Sequence, residues 1–184
     1  MPDSHMPSPP PPQDEPGFLT ELPFGLPGRV FRCPMPFSPY DPHGHALQTF
    51  RALEISVIVL LAEADECLAM TRRDLPGLYR QEGFEVLHLP MPDGGVPLRD
   101  QLEQTVTSVI QHAQAGQHLA IHCYAGIGRT GLVAAAVAKR LLGVPGEAAI
   151  TWVRRYIARA VETPAQRRLL VDDNPGQRDP TRAL

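Results

Sequence analysis

Residues 55–62 form an eight-residue run that is apolar at every position except Ser56. Its β-branched residues favour an extended strand, and a strand without alternating polar residues must be covered on both faces. Strands of this kind occur mainly in parallel sheets that carry helices on both sides. The run is too short to cross a bilayer, which requires about 20 apolar residues. It therefore predicts the central strand of an α/β domain.

Strand-type and helix-type segments alternate along the rest of the chain. Strands are predicted at residues 28–33, 84–89 and 118–122, and helices at 45–53, 63–69, 74–82, 98–115, 130–142, 145–158 and 164–171. The last two helices follow one another without a strand between them, and each has a proline near its first turn. This order predicts a small, mostly parallel central sheet with helices on both faces.

Proline is distributed unevenly along the chain. Thirteen of the 21 prolines lie between Pro2 and Pro42. Proline removes a backbone donor and ends helices and central strands. We therefore expect a disordered, proline-rich tail over residues 1–16, a single domain over residues 17–172 and a flexible C-terminal tail over residues 173–184.

Charge and cysteine content limit the possible partners and compartments. The net charge of −3 gives no general reason to bind nucleic acid or a membrane surface. Cys33, Cys67 and Cys123 are widely spaced and form no CxxC pair, and the N-terminus lacks the apolar segment of a signal peptide. We expect a monomeric, cytoplasmic protein without stable membrane association. The histidines have no metal-ligand spacing, and no metal or other cofactor is expected.

The chemically most specific segment is residues 121–131, Ile-His-Cys-Tyr-Ala-Gly-Ile-Gly-Arg-Thr-Gly, which follows a predicted strand and leads into a predicted helix. Such a loop directs backbone N–H groups and the positive end of the helix dipole at one point, which suits a phosphate. A thiol at a helix N-terminus beside an arginine ionises at a lower pH than a free thiol. The planar fork of Arg129 can hold two phosphoryl oxygens. The segment therefore predicts a Cys123 thiolate facing a bound phosphate.

Two other interpretations fit part of this segment. A buried core thiol is common for cysteine, but it requires neither the glycines nor the arginine that follow Cys123. Gly126-x-Gly128-x-x-Gly131 also matches a dinucleotide-binding fingerprint. That fingerprint requires a following strand with an acidic residue about 20 residues on, whereas Glu147 falls in a predicted helix. The dinucleotide interpretation is therefore disfavoured.

Three segments of the chain resemble the cysteine-dependent protein tyrosine and dual-specificity phosphatases. Residues 122–131 resemble their signature loop. Residues 89–97 (the acid loop), Leu-Pro-Met-Pro-Asp-Gly-Gly-Val-Pro, resemble the general-acid loop of the small dual-specificity members, particularly the cyclin-dependent-kinase-associated phosphatase group, with Asp93 30 residues before Cys123. Residues 162–166, Glu-Thr-Pro-Ala-Gln, resemble the glutamine-bearing loop. The resemblance covers roughly residues 28–172 and implies a protein tyrosine phosphatase-like fold of dual-specificity size, with residues 17–172 as the catalytic domain.

The resemblance also implies how the phosphate is bound and attacked. Cys123 is expected to attack phosphorus and to form a phosphocysteine, while Arg129 and backbone N–H groups hold the equatorial oxygens. The phosphate-binding residues are Tyr124, Ala125, Gly126, Ile127, Gly128 and Arg129.

Four further residues receive roles from the resemblance. Asp93 is expected to protonate the leaving oxygen and then to accept a proton from the attacking water, although Pro-Asp-Gly is also common turn chemistry. Thr130 is expected to donate its hydroxyl to the Cys123 sulfur. His122 orients the loop and stabilises the thiolate, or simply fills the strand end. Gln166 is assigned to positioning the hydrolytic water.

The expected substrate is phosphotyrosine in proteins, with phosphoserine and phosphothreonine also possible. Met91 stands where tyrosine-specific enzymes carry tryptophan, which favours a shallow pocket with a wall from Phe37, Tyr40 or Tyr124. The signature loop lacks the lysines that are frequent in lipid-directed relatives. Two alternatives stay open, namely a phosphatase of phosphoinositides or other small phosphate esters, and a non-catalytic phosphoprotein-binding module.

Overall fold

The computed structural model describes residues 19–172, and the predictions for residues 1–16 and 173–184 lie outside this range. Five strands form one sheet in the order β1-β2-β5-β3-β4. The strands are β1 (Thr20–Leu22), β2 (Val30–Cys33), β3 (Ile55–Leu60), β4 (Glu85–His88) and β5 (His118–His122). Strand β1 pairs antiparallel to β2, and the other three pairs are parallel. The predicted mostly parallel sheet is confirmed.

Helices cover both faces of this sheet. They are α1 (His45–Ala52), α2 (Ala64–Thr71), α3 (Leu75–Gln81), α4 (Arg99–Gln114), α5 (Gly128–Leu142), α6 (Gly146–Val153) and α7 (Pro164–Val171). Within residues 19–172, none of the helices is both long and apolar enough to cross a membrane.

Strand β3 separates two apolar clusters, which explains its lack of polar alternation. Val57 and Val59 pack in one cluster with residues of α4, α5 and α6. Ile58 and Leu60 pack in the other cluster, which includes residues of α1 and α3. Because successive side chains of a strand point to opposite faces, both sets must be apolar when both faces are covered.

The structure differs from the sequence prediction at β1, at the start of α5 and at the end of α6, besides shifts of one or two residues at the ends of other elements. Strand β1 was not predicted, because its three residues are too few to show a period. Helix α5 begins at Gly128 instead of residue 130. Helix α6 ends at Val153 instead of residue 158, and the Arg154 guanidinium then donates to the backbone carbonyls of Ala160 and Val161.

The carboxyl ends of the parallel strands bring the predicted site together. The Leu61 N–H, just beyond β3, donates to the His122 carbonyl at 2.9 Å, and the Met35 N–H, beyond β2, donates to the Tyr124 carbonyl at 2.8 Å. These bonds fix the segment after β5 between its two neighbouring strands. In open α/β sheets this edge is the usual position of a ligand site.

Candidate active site

The segment between β5 and α5 forms a tight loop around the Cys123 thiol. Cys123 is 3% exposed, and the Thr130 hydroxyl donates to its sulfur at 3.3 Å. Helix α5 starts inside this loop, at Gly128. The first N–H groups of a helix have no partner within the helix, so the loop directs donors and the positive helix end toward one anion.

One glycine of the loop is required by a close backbone contact, and a second lies against an exposed side chain. Gly126 has a φ of +72°, and a Cβ atom there would lie 2.2 Å from the Cys33 carbonyl oxygen. A Cβ atom on Gly128 would lie 2.3 Å from a carboxylate oxygen of Glu162. Helix α5 is followed by α6, which contains Glu147, and not by a strand. The glycine pattern therefore reflects packing around the loop, and the context that dinucleotide binding requires is missing from residues 19–172.

Arg129 is the most constrained side chain of the site. It is 1% exposed. Its Nη1 and Nη2 atoms donate to the two carboxylate oxygens of Glu66 at 2.6 and 2.7 Å, and Nη1 also donates to the Met91 carbonyl at 2.9 Å. Its Nε atom is buried and has no hydrogen-bond partner among the described residues. The guanidinium is thus held along one edge, and its Nε–Nη2 edge is left to bind two oxygens of an anion.

Glu66 is the residue that sequence reasoning missed. It lies in the first turn of α2, where an acidic residue is ordinarily explained by the helix dipole. Burial opposes the charge of Arg129, but the hydrogen bonds to Glu66 and the Glu66, Cys123 and Asp93 charges raise the pKa of its guanidinium. Glu66 therefore keeps Arg129 both oriented and charged.

Asp93 lies above the signature loop at the edge of the site. Its side chain is 85% exposed, and its Oδ1 atom lies 3.3 Å from Arg129 Nη2. The Gly95 N–H donates to the Pro92 carbonyl at 2.9 Å, which closes a tight turn around Asp93. The carboxylate can therefore reach a group bound to Arg129 and still exchange protons with water.

Residues 162–166 hold the acid loop from the other side. The Thr163 hydroxyl donates to the Gly94 carbonyl at 3.0 Å, and the Gln166 amide donates to the Gly95 carbonyl at 3.2 Å. The Gln166 Oε1 atom accepts from the Glu162 N–H at 2.9 Å. Gln166 thus links the acid loop to the start of α7, and its role in positioning water stays a prediction.

His122 is buried below the loop with both ring nitrogens bonded. Its Nδ1 atom lies 3.0 Å from the Cys123 carbonyl and its Nε2 atom 2.8 Å from the Tyr79 hydroxyl. Because a carbonyl only accepts, Nδ1 carries the proton and Nε2 accepts from Tyr79. Burial lowers the pKa of His122 to about 4. The imidazole is therefore neutral at pH 7, and it positions the loop without adding positive charge.

Acidification is expected to destabilise the fold through His122. The pKa of His122 is about 4 in the folded chain, against 6.5 as its ordinary value. Between these values the unfolded chain binds a proton that the folded chain does not, so the stability present above pH 6.5 is lost as the pH falls toward 4. The loss is roughly 3 kcal/mol, at about 1.4 kcal/mol per pKa unit.

Denaturant unfolding at about pH 7 and about pH 4 measures this effect. His122→Asn is the reference, because its amide can donate to the Cys123 carbonyl and does not titrate. The variant should lose less stability on acidification than the wild type. Equal losses in both proteins would remove His122 as the cause.

The remaining predicted features lie around this centre. Tyr40 is 53% exposed and contacts Tyr124 edge-on, with ring centroids 5.1 Å apart, so these two rings form an aromatic wall. The Phe37 ring lies under the Arg73 guanidinium. Cys33 and Cys67 are buried free thiols, and burial raises the pKa of Cys67 to about 12. No cluster of three His, Cys, Asp or Glu residues that could hold a metal occurs within residues 19–172.

Comparisons with solved structures agree with this architecture. The kinase associated phosphatase, with its catalytic cysteine replaced by serine, superposes with a TM-score of 0.75 at 23% identity, covering 86% of this chain and 94% of that chain. Tk-PTP in its active form has a TM-score of 0.64 at 30% identity, covering 78% and 89%. PTPMT1 in complex with PI(5)P has a TM-score of 0.65 at 19% identity, covering 78% and 88%. The likenesses below 25% identity establish the fold alone.

Sequence comparisons identify the family. Cyclin-dependent kinase inhibitor 3 from Rattus norvegicus is 37% identical over 62 residues, which are 34% of this chain. The match spans only 29% of that relative's length. Residues 40–141 match the family model described as "Polymorphic toxin system, DSP-PTPase phosphatase". This match covers more than half of the chain and includes Asp93, Cys123 and Arg129, so the protein belongs to the DSP-PTPase phosphatase family.

Proposed function

We propose that the protein hydrolyses phosphotyrosine in proteins, and also phosphoserine and phosphothreonine, through a phosphocysteine intermediate on Cys123. The observation that carries this proposal is the buried Nε atom of Arg129, which has no hydrogen-bond partner among the described residues, beside a nearly buried thiol at a helix N-terminus. An anion that fills this site presents its central atom to the sulfur, as in-line phosphoryl transfer requires.

In the first step, the Cys123 thiolate attacks phosphorus while the bond to the leaving oxygen breaks. Arg129 and the loop N–H groups hold the three equatorial oxygens and stabilise the charge spread over them. Asp93 donates a proton to the departing phenoxide or alkoxide. Its position 3.3 Å from Arg129 supports this role, because the leaving group stands on the open side of the bound phosphoryl group.

In the second step, water attacks the phosphocysteine and the bond between sulfur and phosphorus breaks. Asp93, now a carboxylate, accepts the proton of that water. The hydroxyl of Thr130, 3.3 Å from the sulfur, stabilises the thiolate as it leaves. Inorganic phosphate is released, and both Cys123 and Asp93 return to their starting states.

The surroundings of the loop favour a phosphoprotein substrate. The aromatic wall formed by Tyr40 and Tyr124 offers a ring surface for a phosphotyrosine side chain. Tyr124, Ala125 and Ile127 bring no cation to a multiply charged headgroup. PI(5)P is the ligand of PTPMT1, whose likeness to this chain is one of fold. A panel of kcat/KM values for phosphotyrosine, phosphoserine and phosphothreonine peptides beside phosphoinositides tests the proposal. Higher values for phosphoinositides than for every peptide would contradict it.

Asp93→Asn should abolish the alkaline dependence of turnover. A bell-shaped profile of kcat/KM against pH is expected for a wild-type enzyme that uses a thiolate nucleophile and a protonated general acid. Asparagine cannot donate the proton, so the variant should lose on the order of 10² in rate, and its descending limb should be flat. Asp100→Asn is the matched control, since Asp100 lies in the first turn of α4. An unchanged profile in Asp93→Asn would exclude Asp93 as the acid.

The proposal also covers the domain bounds, the oligomeric state and the compartment of the protein. We assign the catalytic domain to residues 17–172 of a monomeric, cytoplasmic protein that acts on phosphorylated proteins. All three cysteines are free thiols, which suits a reducing compartment.

A further inference from the structure

Arg32 is placed beside the active site by the register of the sheet. It lies on β2 directly opposite Ile121 of β5. Side chains of directly opposed residues share a face of the sheet, and the residue two positions further along the strand shares it too. Ile121 and Cys123 belong to the same apolar cluster, on the face of α5. Arg32 therefore shares this face of the sheet with Cys123, and the two groups are close enough for the charge of Cys123 to act on the Arg32 guanidinium.

Arg32 is a half-buried cation without a counter-ion. Its Nε atom is buried and has no hydrogen-bond partner, and no acidic side chain within residues 19–172 forms an ion pair with it. Arg29, three residues earlier, instead pairs with Glu21 at 2.6 Å. Burial lowers the pKa of Arg32, and the charges of Cys33 and Cys123 oppose this shift. Removing a cation from water is costly unless an anion compensates it.

None of the other charged and titratable groups described around Cys123 supplies a counter-ion for Arg32. Arg129, from α5, is paired with Glu66 of α2 and faces Asp93 of the acid loop. His122 of β5 is neutral at pH 7 because its pKa is about 4. Cys33 of β2 stays a thiol because burial raises its pKa. Among these groups, Arg32 is the positive charge that no carboxylate offsets.

We propose that Arg32 is a positioning residue of the active site, whose positive charge stabilises Cys123 in its thiolate form from the β2 side. This inference rests on the proposed function, because the thiolate is the nucleophile of that reaction. Under this proposal the two arginines have separate roles. Arg129 binds the oxygens of the substrate, and Arg32 acts on the nucleophile without touching the substrate.

The pH dependence of Cys123 alkylation tests this role without any turnover. Iodoacetamide is added to the full chain over a pH series, and modification of the peptide that contains Cys123 is followed by mass spectrometry. In Arg32→Met the pH of half-maximal alkylation rate should rise by about one pH unit, as expected for the loss of one nearby positive charge. Arg32→Lys should restore the wild-type midpoint, and the ascending limb of kcat/KM should move by the same amount.

Arg29→Met is the matched control, because it removes one positive charge just before the same strand. Its alkylation midpoint should equal that of the wild type. Arg32→Gln, which keeps a polar side chain without the charge, serves if Arg32→Met fails to fold, with thermal unfolding as the check. The proposal is overturned if neutral variants at position 32 keep the wild-type midpoint, or if Arg29→Met moves it equally. A midpoint shift in a protein that hydrolyses none of the phosphate esters would overturn the proposed function and leave the role of Arg32 standing.

Discussion

Cys123→Ser should abolish hydrolysis of p-nitrophenyl phosphate while the protein continues to bind oxyanions. The serine hydroxyl is not ionised near neutral pH and is a far weaker nucleophile than a thiolate, so the rate should fall on the order of 10⁴-fold or more. Arg129 and the loop N–H groups are unchanged by the substitution, and these groups hold the anion. Turnover is measured by release of p-nitrophenol, and binding by calorimetric titration with tungstate.

Cys67→Ala is the control for this experiment. Cys67 is as deeply buried as Cys123 but lies on α2, outside the signature loop. This variant should keep its activity after correction for the folded fraction. Residual turnover of Cys123→Ser within about tenfold of the wild type would contradict the phosphocysteine mechanism. Loss of tungstate binding in the same variant would show that the thiol is needed to shape the loop.

Arg129→Lys should lower kcat/KM on the order of 10³-fold. A lysine ammonium is a point charge and cannot bind the Glu66 carboxylate along one edge and two phosphoryl oxygens along another. The loss should appear mainly in kcat, because the equatorial oxygens gain charge in the transition state. Steady-state kinetics with a phosphotyrosine peptide separates kcat from KM.

Arg167→Lys provides the matched control for Arg129→Lys. Arg167 also forms an ion pair with a glutamate, Glu147, at 2.6 Å, but both side chains are exposed. An exposed pair contributes little, so this variant should retain wild-type kinetics. Glu66→Gln measures how much of the effect depends on the orientation of Arg129. This variant keeps the guanidinium but removes the negative charge that orients it. A loss of less than about tenfold in Arg129→Lys would show that the loop N–H groups carry the anion alone.

The proximity of Cys123 and Arg129 could be predicted from the sequence because both residues lie in one loop. Cys123, Arg129 and Thr130 are separated by at most seven positions, so their geometry follows from a strand, a turn and a helix start. Strand β5 and helix α7 have their predicted bounds. Asp93 lies outside this loop. Its role as the general acid could be predicted only from the resemblance to a known family, which includes its spacing from Cys123.

Glu66 and Arg32 could not be predicted in the same way. Glu66 meets Arg129 across 63 positions of the chain, and its local pattern is that of an ordinary acidic residue in a first helical turn. The proposed role of Arg32 depends on its position opposite Ile121, and that position depends on the order of the strands. A local sequence pattern indicates which elements form, but contacts between elements that are distant in the chain appear only once the sheet is assembled.

The hydrogen bonds from Thr163 and Gln166 to the acid loop show how far along the chain the residues that position Asp93 extend. Residues 40–141, which match the family model, contain Asp93, Cys123 and Arg129. The backbone carbonyls of Gly94 and Gly95 are nevertheless fastened by two side chains more than 20 positions beyond that region. The region that matches the family model is therefore shorter than the unit that positions the acid loop. A fragment limited to residues 40–141 would contain Asp93, Cys123 and Arg129, but it would lack the two side chains that hold the acid loop in place.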